Sequence, residues 1–316
     1  MIVVISTPSD DHAAHVLADL QRLGRPAALV DTAQFPQRLR LAMHYNGVPR
    51  GVFRLITNAG AELPLEDCSV VWWRRPQPYV VHSEIQRETH RTFAYTESHE
   101  ALSGLWHCLD AFWVNHPSRD EAAARKPYQL RVAQELGLRI PETLITNDPE
   151  RARAFVASRG PERTIYKAFS ATEQEWRETR VLRAEEVALL DHVRFAPVIF
   201  QELVPAAIDL RITLFGSRTF AAAVHSQRTA YTVDYRMDMA NAHIESHRLP
   251  SELEVRLHAY LKRLGLEYGA VDMRLTPEGD YVFLEINTAG QFRFIEERTG
   301  QPITAEFCRF LAEHDQ

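Results

Sequence analysis

One stretch near the C-terminal end constrains this chain more than any other. It reads VDMRLTPEGDYVFLEINTAGQFRFIEERTGQPIT and starts at Val271. Two apolar-rich runs, 270–276 and 281–287, flank Pro277-Glu278-Gly279-Asp280, which is turn punctuation. The pattern predicts an antiparallel hairpin closed by a two- or four-residue loop. Either loop sets Asp272 directly opposite Glu285. Strand alternation then puts Asn287 on the face of Glu285 and Arg274 on the face of Asp272. Directly opposed residues have Cβ atoms roughly 5 Å apart, where like charges repel. The acidic pair therefore calls for a cation. Two carboxylates and an amide oxygen form a hard oxygen set suited to Mg²⁺ or Mn²⁺ shared with phosphate and water. The plain alternative is a solvated polar face in which Arg274 neutralises the pair.

The basic residues narrow the choice. Lysine and arginine together number 36, yet only Lys126, Lys167 and Lys262 are lysines. A lysine ammonium is a compact charge on a flexible stem, suited to reach a phosphate chain. Lys262 sits on an amphipathic helical pattern and should be solvated, which leaves Lys126 and Lys167 as candidate nucleotide lysines. Chance placement of three lysines is the competing explanation.

At 316 residues the chain is too long for one small core. The pattern divides it into three units, 1–117, 118–196 and 197–316. Strand, helix and strand patterns at 2–6, 10–23 and 27–31 open a parallel α/β layer. A hairpin signal surrounds Asn46-Gly47. The run VWWRRP ends a strand with Arg74 and Arg75, either offered to an anion or left in water as an anchor. A long helix pattern over 85–109 has Phe93, Leu102, Leu105, Trp106 and Leu109 as its stripe.

In the second unit, one helix is predicted over 122–136 with Lys126 near its start. Asp148-Pro149 marks another helix start, and a strand over 164–169 carries Lys167. The polar stretch 170–180 suits a lid. In the third unit, strand 198–204 runs into Pro205 and can offer backbone groups to a flat heterocycle. The strand 208–215 carries Asp209 and Arg211 on one face. A polar run with Asp234, Tyr235 and Arg236 follows. A helix over 251–264 should open with a Ser251/Glu254 capping box.

A net charge of −6 argues against a duplex nucleic-acid binder. No apolar run approaches a membrane span, and the opening MIVVISTPSDDH reads as a strand, not a signal peptide. Cys68, Cys108 and Cys308 form no paired spacing, which implies free thiols and a cytoplasmic setting. The 14 histidines show no ligand-spaced cluster. Neither a P-loop nor a dinucleotide fingerprint is present.

These parts resemble the ATP-grasp superfamily. More closely, the chain looks like the graspetide synthetases, the ligases that mature microviridin-type ribosomal peptides. The likeness rests on VWWRRP, RKPYQLRVAQELGLRIPETLITNDPE, FQELVPAAIDLRITLFG and the acidic hairpin with its following helix. It implies an ATP-grasp fold of the α/β class behind an N-terminal parallel α/β pre-ATP-grasp domain. By resemblance, Lys126 and Lys167 contact the ATP phosphates. Glu202, Leu203 and Val204 border the adenine through the Glu202 carbonyl and the Val204 N–H, and Asp209 reaches the ribose. Arg211 and Arg236 would be catalytic, and Asp272, Glu285 and Asn287 would hold Mg²⁺. The implied reaction activates Asp or Glu side chains of a precursor peptide, leader plus core, and joins them to Ser, Thr or Lys. A homodimer is implied. The alternatives are a ligase acting on free amino acids or a protein tail, and a nucleotide-binding module without catalysis. The chain departs from many ATP-grasp enzymes in having SATEQEWRETR, without glycine, where they carry a Gly-rich loop. Thr288 also stands where relatives often have proline.

Overall fold

Alternation in the opening strands builds the first layer. Ala27–Val30, Ile2–Ile5, Val70–Trp73 and Phe112–Val114 form a parallel sheet in that spatial order. The computed structural model describes residues 1–47, 51–169, 179–229 and 231–315. Parallel strands need apolar residues on both faces. Ile2, Val4, Val70, Trp72 and Val114 face the helix Asp11–Arg22, together with Phe215 of the strand Ile208–Phe215 and Phe307 and Phe310 from the chain's far end. Val3, Ile5, Val71 and Trp113 face the helix Glu88–Cys108 through Leu102, Leu105 and Trp106. Phe93 departs from the predicted stripe: it is 66% exposed, because this helix becomes buried only from Ser98 onward. The predicted hairpin is Leu39–His44 with Val52–Thr57, and it gains an unforeseen third strand, Glu62–Pro64.

An antiparallel sheet follows, ordered Arg180–Val181, Thr164–Lys167, Val198–Glu202, Thr143–Thr146. Asp148 caps the helix Pro149–Ala157, its carboxylate accepting from the Glu150 N–H. The helix predicted over 122–136 is two helices, Pro117–Ala123 and Lys126–Glu135. Arg125 is extended between them, and Pro127, which has no N–H to give, sits in the first turn of the second, where none is needed. Lys126 is thereby the first residue of its helix.

The third sheet is antiparallel, ordered Ile244–His247, Arg218–Val224, Ile208–Phe215, Tyr268–Leu275, Tyr281–Asn287. Leu210, Ile212, Leu214 and Val271 face the helix Ser251–Leu264 through Leu253, Leu257 and Leu261. The expected capping box is absent; Pro250 is the cap residue and no side chain closes the helix start. The opposite face of this sheet carries Asp209, Arg211, Asp272 and Arg274. Among the described residues no helix is long and apolar enough to cross a membrane.

Candidate active site

The acidic hairpin reaches its register by an unexpected route. The turn closes with three residues, Pro277 to Gly279: the Thr276 N–H donates to the Asp280 carbonyl and Leu275 pairs with Tyr281. Gly279 takes φ +92°, the left-handed position such a loop requires. A three-residue loop alone would shift the pairing by one and turn Glu285 to the opposite face. A β-bulge corrects it. Met273 pairs with Phe283 and Asp272 with Glu285, leaving Leu284 as the extra residue. The Phe283 N–H donates outward to the Arg139 carbonyl at 2.7 Å. Leu284 and Glu285 consequently both line one cavity. The predicted pair is opposed as expected, by two one-residue departures that cancel.

That cavity, open on one side, lies between the second and third sheets. Lys126, Lys167, Glu202, Val204, Asp209, Asp234, Arg236, Asp272 and Glu285 line it, gathered from both sheets and the start of a helix. Lys126 Nζ donates to Glu285 Oε2 at 2.5 Å, and Arg236 lies 3.8 Å from the other oxygen. Burial works to raise the Glu285 carboxyl, but Lys126, Lys167 and Arg236 outweigh it and hold it at about 2. Lys167 is pushed down to about 8, chiefly by burial, with Glu285 opposing and the neighbouring cations adding to the drop. Arg236 is clamped by Asp234 through two bonds of 2.7 Å.

The carboxylates are neutralised separately. Asp272 accepts from Arg211 on the adjacent strand at 3.0 Å and from the Tyr235 hydroxyl at 3.1 Å. Arg274 does not neutralise the acidic pair. It turns to Asp209 at 2.8 Å and to the Val204 carbonyl at 2.7 Å. Asp209, in the cavity lining, is 3% exposed and is also held by the Ser226 hydroxyl, so its carboxylate is engaged in this network. Asn287 ends its strand exposed, one step beyond the cavity lining, with Oδ1 accepting from the Ala289 N–H at 3.0 Å. Leu203 does not line the cavity either; its N–H is spent on the Arg163 carbonyl. The lid expected over 170–180 falls mostly on 170–178, outside the described residues.

Sequence reasoning passed over two supports and misplaced a third. Gln129, buried one turn after Lys126, bonds both the N–H and the carbonyl of Ile286, joining the lysine's helix to the Glu285 strand. A glutamine on an apolar stripe was the available signal. Gly290 lets its loop pass beside Arg211: a Cβ there would lie 2.6 Å from the guanidinium and 2.3 Å from Ala270. Arg74 is neither offered to a ligand nor in water. It is 1% exposed, paired with Asp10 at 3.0 Å, and it donates to the carbonyls of Ala289 and Gly290. Arg75 is exposed.

The fold and cavity define a class. Residues 1–121 match the family model of the MvdD pre-ATP grasp domain. The chain has the ATP-grasp ligase fold behind that pre-ATP-grasp domain. The likeness then runs over nearly its full length to a narrower group. A macrocyclase from Microcystis aeruginosa, MdnC, solved with its precursor peptide MdnA, is 27% identical over 99% of both chains, with a TM-score of 0.86. A RiPP-associated ATP-grasp ligase from Chryseobacterium gregarium, solved with ADP and a leader and core peptide, is 26% identical over 99% of this chain and 96% of that one, at 0.89. The macrocyclase MdnB of Microcystis aeruginosa is 28% identical over 98% of both, at 0.82. No curated protein sequence matches.

Proposed function

We propose that the chain is an ATP-dependent ligase of peptide carboxylates. It activates an Asp or Glu side chain of a ribosomal precursor peptide as an acyl phosphate. It then joins that group to a Ser or Thr hydroxyl as an ester, or to a Lys amine as an amide. The observation that carries this reading is Glu285, gripped by Lys126 and flanked by Lys167 and Arg236, directly across the strand pair from Asp272. Residues 118–196 and 197–316 would close on the nucleotide from two sides, behind the first unit 1–117.

A carboxylate attacking a γ-phosphate brings two anions together, so the site must absorb charge. Lys126 and Lys167 would release Glu285 and take the phosphates. Arg236, prealigned by Asp234, would face the transferred group; Arg211, expected beside it, is buried outside the cavity lining and would act by holding Asp272. Glu202 and Val204 would border the base. Asp272 and Glu285 fit a hard divalent ion: both are ionisable oxygen donors on one face, Glu285 now satisfied by Lys126, which phosphate can draw away, and Asp272 by the buried Arg211. When bound, Mg²⁺ would neutralise charge between the phosphates. The attacking carboxylate oxygen displaces ADP. The hydroxyl or amine then displaces phosphate from the acyl carbon. A homodimer is the assembly we expect.

Incubation of the protein with ATP, Mg²⁺ and a candidate precursor should give ADP and a product lighter by one water mass per ring. ADP release with free amino acids, and none with peptides, would replace this reading by the alternative ligase.

A pH dependence follows from Lys167. Phosphate favours its ammonium, so nucleotide binding takes up a proton once the pH exceeds about 8. Nucleotide affinity should be level below that pH and fall up to about tenfold per unit above it. Titration of a non-hydrolysable ATP analogue from pH 6.5 to 9.5 measures this, and Lys167→Ala should flatten the profile.

A further inference from the structure

At the other edge of the same sheet, two histidines and a glutamate converge outside the nucleotide cavity. His225 follows the strand Arg218–Val224, and His243 and Glu245 lie just before and on the edge strand Ile244–His247 respectively. The pairing of Ala223 with Glu245 sets the register, and the His225 N–H donates to the His243 carbonyl at 2.9 Å. The two imidazoles stand 5.2 Å apart, centroid to centroid, tilted by 33°. Glu245 reaches between them: Oε1 lies 2.9 Å from His225 Nε2 and Oε2 lies 3.6 Å from His243 Nε2. One atom from each residue falls within 4.8 Å of the other two.

Those spacings match a known coordination edge. Ligand bonds of about 2.1 Å around a tetrahedral zinc place neighbouring donor atoms about 3.4 Å apart. The two histidine-to-carboxylate spacings, one to each Glu245 oxygen, bracket that value, and the three donor atoms, within 4.8 Å of one another, must draw together onto one ion. His243 and Glu245 are 61% and 55% exposed at the side chain, free to make that rotation. Imidazole with one carboxylate selects zinc or another late first-row ion over Mg²⁺, which prefers an all-oxygen shell.

We propose that His225, His243 and Glu245 bind one divalent transition-metal ion of the zinc type, with water completing the shell. The position gives the ion a consequence. Ser226, next to His225, holds Asp209 in the cavity wall, and Asp209 holds Arg274. A metal fixing His225 would fix the turn that supports this network.

The test uses the untagged full chain, stripped with chelator and kept in excess Mg²⁺. Isothermal titration with Zn²⁺ should show one equivalent bound. His243→Ala and Glu245→Gln should each weaken it by more than about a hundredfold, the upper range for losing a mere supporting contact to a ligand. His258→Ala, on the helix Ser251–Leu264, should leave it unchanged. Equal zinc binding in all four proteins would place the ion elsewhere, the exposed Cys108 being one such group, and overturn the proposal. So would failure of the parent protein to bind. Exposure of His243 and Glu245 keeps both variants folded, and no nucleotide or peptide enters the measurement, so the outcome is independent of the ligase reading.

Discussion

Glu285→Gln should lower ADP formation by about a thousandfold while the protein stays folded and still binds nucleotide. Removing one preorganised electrostatic group from a site of this kind costs about a hundred- to a thousandfold, and here the lost group is both a proposed metal ligand and the counter-charge of three cations. The effect should divide in an unusual way. Without Glu285, Lys126 and Lys167 lose that counter-charge while Arg236 keeps Asp234, so ADP affinity should hold or tighten as turnover collapses. An unfolded variant would lose both. Glu285 is held at about 2, so it remains ionised throughout the working range and should add no acid limb to the rate profile. Glu278→Gln, in the exposed hairpin turn, is the matched control and should turn over normally. Wild-type ADP formation by Glu285→Gln would end the catalytic assignment of this cavity.

The second large effect lies outside the cavity. Arg74→Met should cost about 3–5 kcal/mol of stability, the range for removing one partner of a buried ion pair. Asp10 would remain buried with only the Ser6 hydroxyl and its helix cap, and the Ala289 and Gly290 carbonyls would lose their donor. The melting temperature should fall by on the order of 10 °C. Asp10→Asn combined with Arg74→Met should cost less than the two separate losses added together, because the stranded charge is gone. Burial acts to raise the Asp10 carboxyl, but Arg74 and the Ser6 hydroxyl bring it below its free value of 3.8. Its contribution is therefore full above that pH and lost as the pH falls through the lower folded value; Arg74→Met should remove this acid sensitivity. Arg74 also ties the first sheet to the loop whose Gln291 carbonyl accepts from Arg211, so ADP formation should drop with stability. An unchanged melting temperature would mean that Arg74 is not the clamp between these units.

Periodicity and composition determined a good deal. Period-two alternation placed Asp272 with Arg274 and Glu285 with Asn287, and the scarcity of lysine singled out Lys126 and Lys167, which line one cavity with Glu285. Quoted motifs pointed to the fold. These are local properties: a strand's alternation, a turn residue and a helix cap act over a few neighbours. Tertiary structure decided the rest. The hairpin register survived only because the bulge at Leu284 offset the three-residue turn, and that bulge answers to Arg139, far off in sequence. Partners were decided across strands: Arg211, and not Arg274, neutralises Asp272, because the strand Ile208–Phe215 lies on the other flank of the Asp272 strand. Arg74 became a buried clamp because a loop near residue 290 offers it two carbonyls in the dark. A charge's partner is set by distance in three dimensions, and no period along the chain encodes it.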